Sequence, residues 1–216
     1  MDAKLNACRG ALEHVKDGMV LGLGTGSTVA RFINLIGEEM KKGRKFVCVA
    51  TSFDTEMLAK KNRIPIISLD QVQQIDLAVD GADIVAKDYV LKGGGGALAR
   101  EKVVAYAANQ FLVVIDEAKL ALKSYPVVVE CLPFAYSAVM KGMENMGAKP
   151  ALRTGGKKVG PVVSDNGNFL LDCEMEIKNP KNLEQEINSI PGVVENGIFT
   201  RFSKIIAGNE KEWKEL

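Results

Sequence analysis

The order of apolar and polar segments in this 216-residue chain predicts an α/β protein. Its expected form is a mostly parallel sheet flanked by helices (Rossmann-like), with a second, smaller ferredoxin-like α+β domain. Three observations predict it. In the first half, short continuous apolar runs alternate with helix-length segments, the pattern of strands buried on both faces. Several of those runs end in polar, glycine-bearing loops. From about Pro126 the alternation gives way to the order β-α-β-β-α-β, a split unit characteristic of small α+β domains.

An N-terminal helix carries Leu5, Cys8, Leu12 and Val15 as its apolar stripe, with His14 at the surface or the boundary. Asp17-Gly18 is a turn. Met19-Val20-Leu21-Gly22-Leu23 is a strand that runs into Gly24-Thr25-Gly26-Ser27-Thr28 and then a helix over 29–42. Phe46-Val47-Cys48-Val49-Ala50 is a second buried strand ending in Thr51-Ser52. A helix over 54–62 leads to an expected strand at Ile64-Pro65-Ile66-Ile67, then to Ile75-Asp76-Leu77-Ala78-Val79, which ends in Asp80-Gly81-Ala82-Asp83. Four consecutive glycines, Gly93 to Gly96, open a helix over 97–109, and Phe111 to Ile115 is the next strand. The second domain reads as strand 127–130, helix 136–146, strand 148–154, a glycine- and lysine-rich turn at Gly155-Gly156-Lys157-Lys158, strand 168–177, helix 183–189 and strand 193–200. Lys204-Ile205-Ile206-Ala207 can return to the first sheet. The boundaries expected are 1–125 plus 201–216 for the α/β domain and 126–200 for the smaller one.

Composition narrows the function. A chain of this length buries enough surface to fold without staples, and 47% hydrophobic with 25% charged residues is ordinary for a globular protein. A net charge of +1 gives no electrostatic reason to bind nucleic acid or an anionic membrane. No apolar run approaches the ~20 residues that span a bilayer, and the N-terminus lacks a signal-peptide layout. Cys8, Cys48, Cys131 and Cys173 are far apart, which points to buried free thiols in a reducing, cytoplasmic setting. His14 is the only histidine, which argues against Ser-His-Asp catalysis and multi-histidine metal centres.

The chemistry is expected in the loops. In such sheets ligands bind beyond the carboxyl ends of the strands, so the loops with Thr25, Asp80 and Asp116 should share one crevice. Gly22-Leu23-Gly24-Thr25-Gly26-Ser27 departs from the dinucleotide fingerprint at Ser27, and the second strand ends in Thr51-Ser52 rather than an acidic residue. It is not a Walker A loop either. What remains is a strand–loop–helix turn whose Thr25, Ser27 and Thr28 hydroxyls and N–H groups suit a small phosphate. Ordinary N-capping by Ser27 or Thr28 fits the same residues. Asp80 and Asp83 bracket a tight turn and can cap, bind Mg²⁺, or exchange protons with sugar hydroxyls. Lys92, the glycine run and Glu101 bring a cation, N–H donors and a carboxylate from a dozen residues. Arg100, Lys102 and Lys119 read as solvated or surface-paired charges, with Lys119 on the edge that reaches the crevice.

Together, Gly24-Thr25-Gly26-Ser27-Thr28, Asp80-Gly81-Ala82-Asp83 and Lys92-Gly93-Gly94-Gly95-Gly96-Ala97…Arg100-Glu101-Lys102 resemble the A-type ribose-5-phosphate isomerases. Ser164-Asp165-Asn166-Gly167-Asn168 and Ile190-Pro191-Gly192-Val193-Val194 resemble that family's second-domain segments. The resemblance runs in order over nearly the whole chain. It implies interconversion of ribose 5-phosphate and ribulose 5-phosphate in the non-oxidative pentose phosphate pathway, no metal or organic cofactor, and a homodimer or homotetramer. It also implies Glu101 as proton acceptor, with Asp80, Asp83 and Lys92 among the substrate-binding residues; on their own chemistry Asp80, Asp83 and Lys92 are expected to take part in catalysis as well. Thr25, Gly26, Ser27, Thr28, Gly81, Ala82, Gly93, Gly94, Gly95 and Lys119 would bind substrate, and Lys4 would lie near the phosphate. Ile84 stands where the family usually has a glutamate, which puts local hydrogen bonding in question rather than the reaction.

The residue types suit this chemistry independently. Moving a carbonyl from C1 to C2 requires one base to take the C2 proton and return it at C1, which a single carboxylate can do. The enediolate between those steps needs donors at its oxygens. Ring opening needs a proton shuttle, for which Asp80 is a candidate and Asp83 is not excluded. A non-enzymatic sugar-phosphate sensor, another sugar-phosphate enzyme such as a deaminase or lactonase, and a dinucleotide oxidoreductase are the competing classes. The missing helix-turn-helix extension, the lone histidine, and Ser27 with Ser52 weigh against them in turn.

Overall fold

The computed structural model describes residues 2–122, 124–156 and 159–216. In chain order the helices and strands are α1 (Ala3–Leu12), β1 (Val20–Leu23), α2 (Ser27–Lys41), β2 (Val47–Ala50), α3 (Phe53–Lys61), β3 (Ile75–Asp80), β4 (Ile84–Val85), β5 (Val90–Leu91), α4 (Leu98–Ala107) and β6 (Ala108–Asp116). Then follow β7 (Val127–Cys131), α5 (Tyr136–Asn145), β8 (Lys149–Leu152), β9 (Phe169–Glu174), α6 (Pro180–Asn188), β10 (Val193–Asn196), β11 (Ile198–Phe199), β12 (Lys204–Gly208) and β13 (Trp213–Glu215). The chain divides into two compact units, Met1–Ala82 with Arg100–Leu122 and Arg201–Leu216, and Asp83–Ala99 with Lys123–Thr200.

The first unit is built on a six-stranded sheet in the order β13-β12-β6-β3-β1-β2. All its pairs are parallel except the edge hairpin β12–β13. Alternation along the strands sets the layers. Leu21, Leu23, Leu77 and Val79 join Ala7, Cys8, Phe32, Ile33 and Ile36 in one apolar cluster, which seats α1 and α2 on that face. Gly22 and Ala78 point the other way. A Cβ on Gly22 would lie 2.5 Å from Val104, so the missing side chain is what lets α4 lie close on β1. β12 does return to this sheet, pairing parallel with β6 from Lys204↔Leu112 to Gly208↔Asp116. The edge strand β13 was not foreseen.

The expected strand at 64–67 is reduced to a single bridge, Cys48↔Ile66. Pro65 has no N–H, so its carbonyl accepts from Cys48 while it can return nothing to a ladder. Helix α4 is shorter than expected, because Ala108 to Gln110 already pair with β3.

The second unit holds a four-stranded antiparallel sheet in the order β10-β7-β9-β8, carried by the expected β-α-β-β-α-β sequence. Val127, Val129, Cys131, Leu171 and Cys173 face α5 and α6 through Val139, Met143, Leu183 and Ile187. A small sheet, β11-β5-β4, was not expected. The strand expected over 193–200 is split at Gly197, whose Cα passes so near Lys92 that a Cβ would be 2.2 Å from its carbonyl. That crossing hands the chain from β10 to β11. Pairing of β11 with β5 also groups residues 83–99 with the smaller unit, where the sequence had put only 126–200. The Lys157–Lys158 half of the expected glycine–lysine turn lies outside the described residues.

Candidate active site

In the first unit the chain passes from β1 to β2 on one side, then crosses back to β3 on the other side of β1. β1 and β3 therefore form a topological switch point, and the loops after their carboxyl ends flank the crevice where such sheets take ligands. The Gly24–Thr28 loop follows β1, and Asp80 is the last residue of β3. Asp80 is 3% exposed, and its Oδ1 accepts from the N–H of Gly81 at 2.7 Å and of Thr25 at 3.3 Å. Gly26, with φ +108°, takes the N-cap position of α2, and no side chain caps the helix. Ser27 and Thr28, which the sequence allowed as caps, are instead its first two residues. The leading N–H groups of a helix have no partner within it and carry its positive pole, so this end is suited to an anion. Lys4 on α1 adds its ammonium there, donating to Ser27 Oγ at 2.9 Å.

Lys119 sits in a single 3₁₀ turn, Glu117–Ala121, directly after β6. Its Nζ donates to the carbonyl of Ala82, tying this turn to the loop after β3. Glu101 is in the first turn of α4 and only 5% exposed. A carboxylate there is favoured by the helix dipole, yet such burial is rare for glutamate outside pairs and working sites. Lys102, read from sequence as a solvated charge, is 3% exposed. The unit thus brings Lys4, Thr25, Gly26, Ser27, Thr28, Asp80, Gly81 and Ala82 to adjacent strand ends, with Lys119 bonded to the last of these.

The smaller unit carries Asp83, Lys92 and the glycine run. Asp83 donates its N–H to Leu91 at 2.7 Å and accepts from the N–H of Gly94 at 2.9 Å, so it braces the run against the β4–β5 hairpin. Lys92 is buried, its N–H donating to Gly197 at 2.9 Å and its ammonium standing 5.6 Å from the centre of the Phe199 ring. Gly93 has φ +117°, and a Cβ there would lie 2.8 Å from Val128; no other residue fits both conditions. Gly94 and Gly95 are exposed. Ile84 packs into the apolar core with Leu91 and Val129, so the family's glutamate position is apolar here.

Several residues at these loops carried no signal in the sequence. Arg153 donates to the Gly93 carbonyl at 2.9 Å while paired with Asp172, which holds the guanidinium above its ordinary range against the opposing effect of burial. Tyr125 Oη stands where a Cβ on Gly94 would meet it at 2.6 Å; burial, and then the Asp83 carboxylate, push its phenol up. Thr51, Ser52 and Thr55 close around Thr25. Each makes its contact across a long sequence gap or through a hydroxyl that reads as an ordinary cap. Among the described residues there is no grouping of three or more His, Cys, Asp or Glu side chains suited to a metal ion.

Residues 47–212 match the family model of ribose 5-phosphate isomerase A (phosphoriboisomerase A). The chain is 45% identical to ribose-5-phosphate isomerase A of Methanocaldococcus jannaschii over 221 residues, covering 100% of this chain and 97% of that protein. It is 49% identical to the Thermosynechococcus vestitus protein over 210 residues, covering 94% and 89%. The chain belongs to the ribose-5-phosphate isomerase A family. Solved structures agree. The M. jannaschii isomerase superposes with a TM-score of 0.96 at 45% identity, covering 100% of this chain and 98% of that one. A D-ribose-5-phosphate isomerase in complex with phospho-erythronic acid gives 0.95 at 44% identity, covering 100% and 99%. The Plasmodium falciparum ribose 5-phosphate isomerase gives 0.91 at 30%, covering 99% and 97%. As a ribose-5-phosphate isomerase A, the protein interconverts ribose 5-phosphate and ribulose 5-phosphate, an aldose–ketose isomerisation of the pentose phosphate pathway. No described helix is long and apolar enough to cross a membrane.

Proposed function

We propose that this isomerisation runs through an enediolate with Glu101 as its only base. Glu101 takes the C2 proton of the open-chain aldose and returns it to C1. Lys92 and the N–H groups of Gly93 to Gly95 supply positive charge to the enediolate oxygens, each well-placed donor contributing ~3 kcal/mol. Asp80 or Asp83 moves the proton that opens the furanose ring. The Thr25–Thr28 loop at the N-terminus of α2, with Lys4, receives the phosphate. Gly81, Ala82 and Lys119 complete the substrate contacts.

The observation that carries this reading is the burial of Glu101, 5% exposed in the first turn of a helix that follows four glycines. A carboxylate set apart from bulk water can carry a proton between adjacent carbons with less loss to solvent than an exposed one. Ribose 5-phosphate incubated with the enzyme in D₂O and followed at H2 by NMR tests it. Transfer to C1 or exchange at C2 is expected, and both must disappear in Glu101→Gln.

Phospho-erythronic acid, the ligand named with the relative above, joins a phosphate ester to a carboxylate, which resembles an enediolate in charge. It should inhibit this enzyme competitively. We also infer a homodimer or homotetramer working in the cytoplasm. Exposed Leu132, Phe134 and Tyr136 support a partner surface, and four buried free thiols suit a reducing compartment. Light scattering at micromolar concentration reads the assembly directly.

A further inference from the structure

Four hydroxyls from three segments meet inside the first unit: Thr25 on the loop after β1, Thr51 and Ser52 beyond β2, and Thr55 in the first turn of α3. Their hydrogen bonds have a direction. Thr55 Oγ1 donates to the Gly24 carbonyl at 2.6 Å, and a carbonyl has no proton to return. Ser52 Oγ therefore donates to Thr55 Oγ1 at 3.1 Å, and Thr25 Oγ1 donates to Ser52 Oγ at 2.8 Å. Thr51 Oγ1 lies 2.9 Å from Thr25 Oγ1 and is anchored on the Leu23 carbonyl at 3.1 Å. The N–H of Thr25 goes to Asp80 Oδ1. Both protons that Thr25 has to offer thus point into the protein. Its neighbours Gly26 and Ser27 are exposed, at the uncapped end of α2.

We propose that Thr25 is the inner frame of the phosphate seat rather than one of its ligands, and that Ser52 and Thr55 are positioning residues for the isomerisation. Their hydroxyls lock the turn at Gly24–Thr25, and that lock aims the N–H groups and hydroxyls of Gly26 to Thr28 at a single phosphate. The proposal rests on the reading that the Thr25–Thr28 loop receives the phosphate. Because the phosphate is remote from the reacting carbons, a loosened lock weakens binding much more than turnover.

Inorganic phosphate, as a competitive inhibitor against ribose 5-phosphate, probes the seat without the chemistry. Thr55→Val is expected to raise KM and the phosphate inhibition constant together by about fivefold to tenfold, the equivalent of one hydrogen bond, while kcat stays within about twofold. Thr55→Ser keeps the hydroxyl and restores both constants. The double variant Thr25→Val/Thr55→Val is expected to be no worse than the poorer single variant, because the two act through one network. Parental constants in Thr55→Val, or effects that multiply in the double variant, overturn the proposal. If Thr55→Val fails to fold, Ser52→Ala interrupts the same relay and answers for it. Ser27→Ala and Lys4→Met separate the two levels. If they leave phosphate inhibition at its parental value, the loop reading itself is lost. If they weaken it while Thr55→Val does not, only the positioning role is lost.

Discussion

The carboxyl of Asp80 occupies the space a side chain on Gly24 would need: a Cβ there would lie 1.9 Å from Asp80 Cγ. The last residue of β3 thus reaches across the switch point and closes over the backbone of the loop after β1, held by the N–H groups of Thr25 and Gly81. Gly24→Ala must displace that carboxylate. A loss of about 1–3 kcal/mol in stability is expected from the overpacking, together with a fall in kcat/KM of at least about tenfold from disturbing the proton shuttle and phosphate loop proposed above. Thermal melting and steady-state kinetics on one preparation read both effects.

Glu101→Gln keeps the size of the side chain and removes its basicity. The expected fall in kcat is about 10²- to 10⁴-fold, with KM within about tenfold of the parent. Turnover at the parental rate would take the base role away from Glu101.

Lys92→Ala removes a buried ammonium assigned to the enediolate. Charge that develops only in the transition state is read in kcat, so kcat is expected to fall by about 10²-fold and KM to rise by much less. A change confined to KM would reassign Lys92 to ground-state binding.

Burial pushes the thiols of Cys8, Cys48 and Cys173 up to about 12; burial, then the charge of Glu130, pushes Cys131 up to about 11. An unfolded thiol ionises near ~8.5, so the folded chain keeps these protons to higher pH than the unfolded chain does. Their contribution to stability is complete below that value and is lost as pH rises toward 11–12, by about 1.4 kcal/mol per pH unit for each thiol. Melting temperature measured from pH 7.5 to 10.5 should fall, and less steeply in Cys48→Ala. At pH 8 all four thiols should ignore an aromatic disulfide reagent until denaturant is added.

How much of this was legible in the sequence follows from the range of the interactions. Continuous apolar runs such as Phe111 to Ile115 are local and gave the parallel sheet, its loops and the β-α-β-β-α-β order. β4, β5 and β11, of two residues each, are too short to show a period, and Pro65 concealed how little of 64–67 could pair. Asp80, Glu101 and the glycine run stood out because unusual residue types were crowded together. Thr55, Tyr125 and Arg153 did not, since each becomes informative only when a partner distant in sequence arrives.

The return of β12 to β6 sets an order of events during synthesis. Phe111 donates its N–H to Ser203, a partner 92 positions later, and β6 has no outer neighbour until 204–208 exist. On the ribosome the strands made first wait with one ladder open, while the α+β insert is already complete. An unpaired parallel strand as apolar as β6 invites association with other nascent chains. The closing hairpin, with Lys214 and Glu215 on its rim, is therefore the chain's safeguard against aggregation as much as its last piece of architecture.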